Sequence, residues 1–210
     1  MSDRPPPVLV TEGDVRSIAD RDLALVFERV GDRWTHTIEV SRCPGSPRET
    51  IARAVEWDAD RDDHARVAGP VFQELQFQTD PEGRPHALLL GMSGRHHFSA
   101  AFALMPCEDG ILLSVDIADR CRDEVKALGS TYTAFLHSGE LLHADLEKIE
   151  WDLGSRRLIL GAGASTSVSL AEAGRRATRV QASAVAAPGD PTRRWAFSWT
   201  LLDPSPTSTN

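Results

Sequence analysis

The sequence predicts a mostly β fold, a single-domain antiparallel β-sandwich or barrel of about ten strands with one or two short helices. Three observations carry that expectation. Apolar residues alternate with a period of two through much of the chain, the pattern of half-buried strands. Compact turn signals separate the alternating runs, foremost Gly31-Asp32 and Asp80-Pro81-Glu82-Gly83. Stretches with helical spacing are few.

Taken in order, residues 1–12 read as a disordered or extended tail, because Pro5-Pro6-Pro7 favours an extended backbone. The β domain is expected over 13–203, and 204–210 reads as a disordered tail with nothing to pack. "EGDVRSIADR" suggests one or two helical turns. "LALVFERV-GD-RWTHTIEV" is the clearest hairpin, with Gly31-Asp32 as a type II′ turn. Val30 then faces Arg33, which puts Arg29 opposite Trp34, Phe27 opposite His36, Leu25 opposite Ile38 and Leu23 opposite Val40. The apolar members of both strands share one face, and a one-residue slip would destroy that match.

"SPRETIARAVEWD" is ambiguous. Ser46-Pro47-Arg48-Glu49 makes a capping box, whereas Ile51, Val55 and Trp57 fit one strand face with Arg53 as the exception. Strand is preferred because the neighbours are strands. A second hairpin is expected around Asp80–Gly83, and a third joins His96–Met105 to Ile111–Ala118 through "PCEDG". "RDEVKALG" suggests a short helix ending at glycine. Further strands are expected at "STYTAFL", "LEKIEWDL", "RRLILGA", "TSVSLAE", "TRVQASAVA" and "RRWAFSWTLL", the last lining one face with Trp195, Phe197, Trp199 and Leu201.

Composition narrows the function. Hydrophobic residues make up 41% of the 210, enough for an ordinary core without disulfide or metal staples. With 31 acids against 23 Lys and Arg, the net charge of −8 argues against a nucleic-acid surface. No apolar run approaches the length of a membrane span, and no signal peptide is visible. Three cysteines without CxxC spacing fit reduced thiols, so a cytoplasmic protein is expected.

The stretch "GMSGRHHFSAAFALM" concentrates the chemistry. From Phe98 onward both strand faces are apolar, which fits a strand covered on both sides. Arg95, His96 and His97 stand at its mouth. With a five-residue loop Met105 pairs with Ile111, placing His97 opposite Asp119 and Asp116 opposite Ala100. A histidine beside a carboxylate is oriented for base chemistry, and polar pairing at a strand end explains it equally. His36 lies on the apolar face of the first hairpin and must find a hydrogen bond, for which a neighbouring carbonyl is the common answer. His36, Arg95, His96, His97 and Asp116 are therefore the candidate ligand-binding residues. No metal site and no cofactor are assigned, although His36, His96 and Asp116 would compose a metal triad if they converged.

Other motifs carry less. "DADRDD" (58–63) begins like an EF-hand loop, but Asp63 stands where glycine is required and Gly69 where the closing glutamate belongs. "LILGAGAST" offers Gly161 and Gly163 without the third glycine of a dinucleotide loop, so a bend or bulge is expected. The pairs Arg156-Arg157, Arg175-Arg176 and Arg193-Arg194 sit near strand starts, either as an anion rim or as guards of strand edges.

Three function classes follow. The leading one is a non-catalytic module that binds a small apolar ligand or a protein partner, without nucleic acid or membrane. The second is a hydrolytic or metal-assisted enzyme built on His36, His96, His97 and a carboxylate. The third is a scaffold using an exposed sheet edge. Convergence of the histidines, an enclosed apolar pocket of at least ~300 Å³, and an exposed apolar patch are their respective signatures.

Overall fold

The computed structural model describes residues 7–55, 69–121, 127–135, 139–173, 178–185 and 192–203. Among them are sixteen strands and no helix. The first nine are β1 (Val8–Glu12), β2 (Val15–Ala19), β3 (Leu23–Val30), β4 (Arg33–Val40), β5 (Glu49–Val55), β6 (Glu74–Thr79), β7 (Pro85–Ser93), β8 (His96–Cys107) and β9 (Gly110–Arg120). There follow β10 (Gly129–Ala134), β11 (Glu140–Ala144), β12 (Lys148–Asp152), β13 (Arg157–Ala162), β14 (Thr166–Ala173), β15 (Thr178–Ala184) and β16 (Thr192–Leu202).

They form two antiparallel eight-stranded sheets, ordered β1-β2-β3-β4-β5-β10-β15-β14 and β11-β12-β13-β16-β9-β8-β7-β6. Each sheet keeps two edges, so the architecture is an open sandwich and the barrel alternative does not hold. The core lies between the inner faces. Leu23, Leu25, Phe27, His36 and Ile38 come from one sheet; Phe102, Val115, Trp195, Phe197 and Trp199 come from the other. The alternation in the sequence marks these faces, including the buried row Trp195, Phe197, Trp199 and Leu201.

The first hairpin has the register the sequence predicts, from Val30 opposite Arg33 to Leu23 opposite Val40. Gly31 has φ +64 and Asp32 has no positive φ, as a type II′ turn requires. The second hairpin turns where expected, with the Gly83 N–H donating to the Asp80 carbonyl. "SPRETIARAV" is strand, but its core face differs from expectation. A bulge at Ile51 puts both Ile51 and Ala52 in the core, Ala52 opposite Ile38, and sends Arg53 outward opposite Thr37.

The helix expected at "EGDVRSIADR" is replaced by the β1–β2 hairpin. Gly13, φ +60, and Asp14 form the same two-residue turn as Gly31-Asp32. Val8–Glu12, within the segment read as a tail, are extended and pair with β2. Most of "RDEVKALG", the tail at 204–210 and the "DADRDD" loop lie outside the described residues. The expected ten undercounts even the thirteen strand segments the sequence marks; the other three of the sixteen, β1, β2 and β11, carry no strand signal strong enough to stand alone. No helix among the described residues is long and apolar enough to cross a membrane.

Two devices hold the sheets together. At one end Arg156, in the turn before β13, is fully buried and donates from Nη2 to Asp22 Oδ2 at 3.0 Å and Asp203 Oδ1 at 3.0 Å. Its Nη1 reaches the Ser41 carbonyl at 3.0 Å, so one guanidinium ties the β2–β3 turn to the second sheet. At the other end Val71–Gln73 crosses between the sheets. The Trp34 N–H donates to the Phe72 carbonyl, and the Gln73 N–H donates to that of Leu90. Gly91 makes room for this crossing, since a Cβ there would lie 1.9 Å from the Val71 oxygen.

Candidate functional site

The expected register of the third hairpin is wrong by one residue. Only Glu108 and Asp109 turn the chain, and Cys107 pairs with Gly110. Met105 therefore faces Leu112 rather than Ile111. The loop closes this tightly because Gly110 has no side chain. A Cβ there would sit 2.0 Å from the Leu201 carbonyl oxygen of β16.

That slip reverses the chemistry at the strand mouth, since neighbouring positions point to opposite faces. Asp119 falls opposite Phe98, on the inner face, where it is buried. His96 shares that face, and its Nδ1 lies 2.8 Å from Asp119 Oδ2 while its ring stacks on Phe98. Asp119 Oδ1 has no hydrogen-bond partner among the described residues. His97 points the other way, opposite Arg120 instead of Asp119. Asp116, expected opposite Ala100, faces Ala101 on the outer side and is taken by Arg194, whose Nε donates to Oδ1 at 2.7 Å.

His36 sits in a separate place. Its Nε2 lies 2.9 Å from the Tyr132 hydroxyl, so a hydroxyl and not a carbonyl satisfies it. The rings of Phe27, Phe102 and Tyr132 surround it. Burial lowers the His36 pKa to about 4 and raises that of Tyr132, so both stay neutral at pH 7. The adjoining cleft, lined by Trp34, Phe72, Ser130 and others, holds about 20 Å³, room for one water.

The candidates therefore do not converge. His36 packs on Phe102 and His96 on Phe98, four residues apart on one strand face, a separation of roughly 13 Å at the strand rise. Asp116 is on the opposite face. Among the described residues no group of three or more His, Cys, Asp or Glu side chains could hold a metal ion.

What gathers instead is a cationic mouth. A depression of about 730 Å³ opens at the end of β8 and β9, lined among the described residues by Gly94, Arg95, His97 and Arg120. Gly94, φ +58, turns the chain from β7 into β8 and sets Arg95 at the rim. Arg120, Asp119 and Tyr132 are the residues sequence reasoning did not assign. Arg120 and the true role of Asp119 follow at once from the corrected register, while Tyr132 is signalled only by the alternation of "STYTAFL".

The remaining motifs resolve into packing. Gly163 donates its N–H to the Ala196 carbonyl at 2.8 Å, and a Cβ there would lie 2.6 Å from that oxygen, so the glycine serves close backbone approach. Arg156 is the buried clamp, Arg157 pairs with Glu150, and Arg194 with Asp116. Arg175-Arg176 lies outside the described residues. No family model matches the chain, and no curated protein matches it in sequence.

Proposed function

We propose that this chain is a non-catalytic binding module for a small anionic molecule, carried on the outer face where His97 and Arg120 meet. The observation that supports this reading is the cross-strand pairing of two basic side chains at a concave surface. Here neither side chain has an ion-pair partner among the described residues. Several other exposed bases are matched by acids: Arg84 by Asp80 and Glu82, Lys148 and Arg157 by Glu150. Asp119, adjacent to Arg120 in sequence, is turned inside to His96.

An anion between His97 and Arg120 accepts hydrogen bonds from an imidazole N–H and from the guanidinium, whose fork suits carboxylate or phosphate oxygens. Asp119 and His96 act beneath it as packing that locks the ends of β8 and β9. A ligand held between the sheets is disfavoured, because the core there is filled by Trp195, Trp199, Tyr132, Phe27 and Phe102. Catalysis is disfavoured too, since the His96–Asp119 pair faces the opposite side of the strand from Arg120.

Titration calorimetry at low ionic strength, with inorganic phosphate and a small dicarboxylate as probes, tests the proposal. At least one probe should bind saturably and weaken with added salt. Arg120→Gln should lower affinity roughly tenfold or more, the loss of one charge-assisted bond, whereas His36→Phe should leave it unchanged. Absence of binding by both probes, or binding indifferent to Arg120→Gln, overturns it.

A further inference from the structure

Four strands end the two sheets, and three of them carry devices that block pairing with another chain. β6, "ELQFQT", exposes Glu74, Gln76 and Gln78. β11 is broken by a bulge at Leu142, and the ladder of β14 shifts between Leu170 and Glu172. β1 has no bulge, and its one charged residue, Glu12, flanks the turn at the end of the strand. Its ladder with β2 is unbroken over five residues, and every one of the five is exposed. Val8, Leu9 and Val10 are 57%, 44% and 39% exposed, so the strand is apolar on both faces.

The register of β1 shows which backbone groups are free. In a two-residue hairpin the residues flanking the turn exchange both hydrogen bonds, here Glu12 with Val15. By alternation Val10 and Val8 also bond to β2, while the N–H and C=O groups of Leu9 and Thr11 point to the open side. A second β1 laid antiparallel about Val10 fits those groups. Leu9 meets Thr11 of the second copy and Thr11 meets Leu9, giving four backbone bonds, with the two Val10 side chains touching at the centre. Pro7, which has no N–H to give, lands opposite the Gly13 turn, where the ladder ends in any case. Glu12 faces Val8 rather than Glu12, so no like charges oppose. On the outer face the exposed valines Val8, Val10 and Val15 of the two copies join into one patch.

We infer that β1 pairs with β1 of a second copy of this chain, joining two first sheets into one sheet across a two-fold axis at Val10. Five residues a side is far below the roughly 20–30 of a standard interface, so a weak dimer is expected, with a dissociation constant in roughly the upper micromolar range.

Sedimentation equilibrium on the full chain, from about 1 to 200 μM, reads this directly against the expected upper-micromolar constant. The wild type should shift from monomer toward dimer. Thr11→Pro removes an N–H that only the dimer uses, and Val10→Lys sets two charges face to face. Both should remain monomeric with unchanged circular dichroism. Leu141→Lys, on the edge strand β11, should dimerise like the wild type. A wild type that stays monomeric throughout, a dimer that survives both β1 substitutions, or one lost in Leu141→Lys each overturns the inference.

Discussion

His36 is held neutral by its surroundings: three aromatic rings and one hydroxyl bury it, beside a cleft with room for no more than one water. With a folded pKa of about 4 against 6.5 unfolded, the unfolded chain binds the proton first. The stability that neutral His36 contributes is therefore complete above pH 6.5 and lost as pH falls toward 4, in all roughly 3 kcal/mol. Denaturant midpoints of His36→Phe should show a shallower decline than the wild type across that window. Tyr132→Phe strands a buried ring nitrogen and should cost about 1–3 kcal/mol at pH 7. The position of His36 is legible in sequence, because Phe27 across the hairpin marks its face. Its partner is not, since Tyr132 lies 96 residues away and no local spacing points to it.

Among the elements, the Gly31-Asp32 and Asp80–Gly83 hairpins are readable from their turns, whereas Glu108-Asp109 misleads. Gly31-Asp32 and Asp80–Gly83 set their registers because a left-handed glycine leaves one geometry. Gly13-Asp14 carries the same signal, masked by the helical look of "VRSIADR" beside it. The β8–β9 turn is Glu108-Asp109, and the glycine after it acts through packing against β16, a contact between distant segments. That contact decides the register, and with it the site. Gly110→Ala should accordingly destabilise by about 1–3 kcal/mol, as overpacking does. It should also disturb the amide signals of Cys107 and Leu202, which pair with it, by nuclear magnetic resonance more than those of Phe98 and Arg120 at the far ends of β8 and β9.

At the scale of the whole molecule, the alternation foretells faces, but the assignment of strands to two sheets depends on crossings that no local pattern announces. The clamp at Arg156 is one example: two adjacent arginines look alike in sequence, yet Arg156 is buried between sheets and Arg157 pairs at the surface. Burial acts to raise the Asp22 pKa, but the hydrogen bond and charge of Arg156, with help from Arg21, hold it below 3.8. This contribution is present above pH 3.8 and is lost as pH falls through the lower, folded value. Arg156→Ala leaves Asp22 buried without its main partner and should cost about 3–5 kcal/mol by chemical denaturation at pH 7.

The position of β16 between β13 and β9 also has a consequence for biosynthesis. Among the described strands it is the last to leave the ribosome, yet both of its neighbours are made earlier. The five-stranded meander β1–β5 can close as it emerges, each strand meeting the one before. The facing edges of β9 and β13 instead wait for their shared partner. At ordinary translation speeds β9 waits on the order of ten seconds. Once β13 is made the nascent chain exposes both of these edges at once, and in the first sheet β5 waits about as long for β10, so each sheet holds an open edge late into synthesis where folding competes with aggregation.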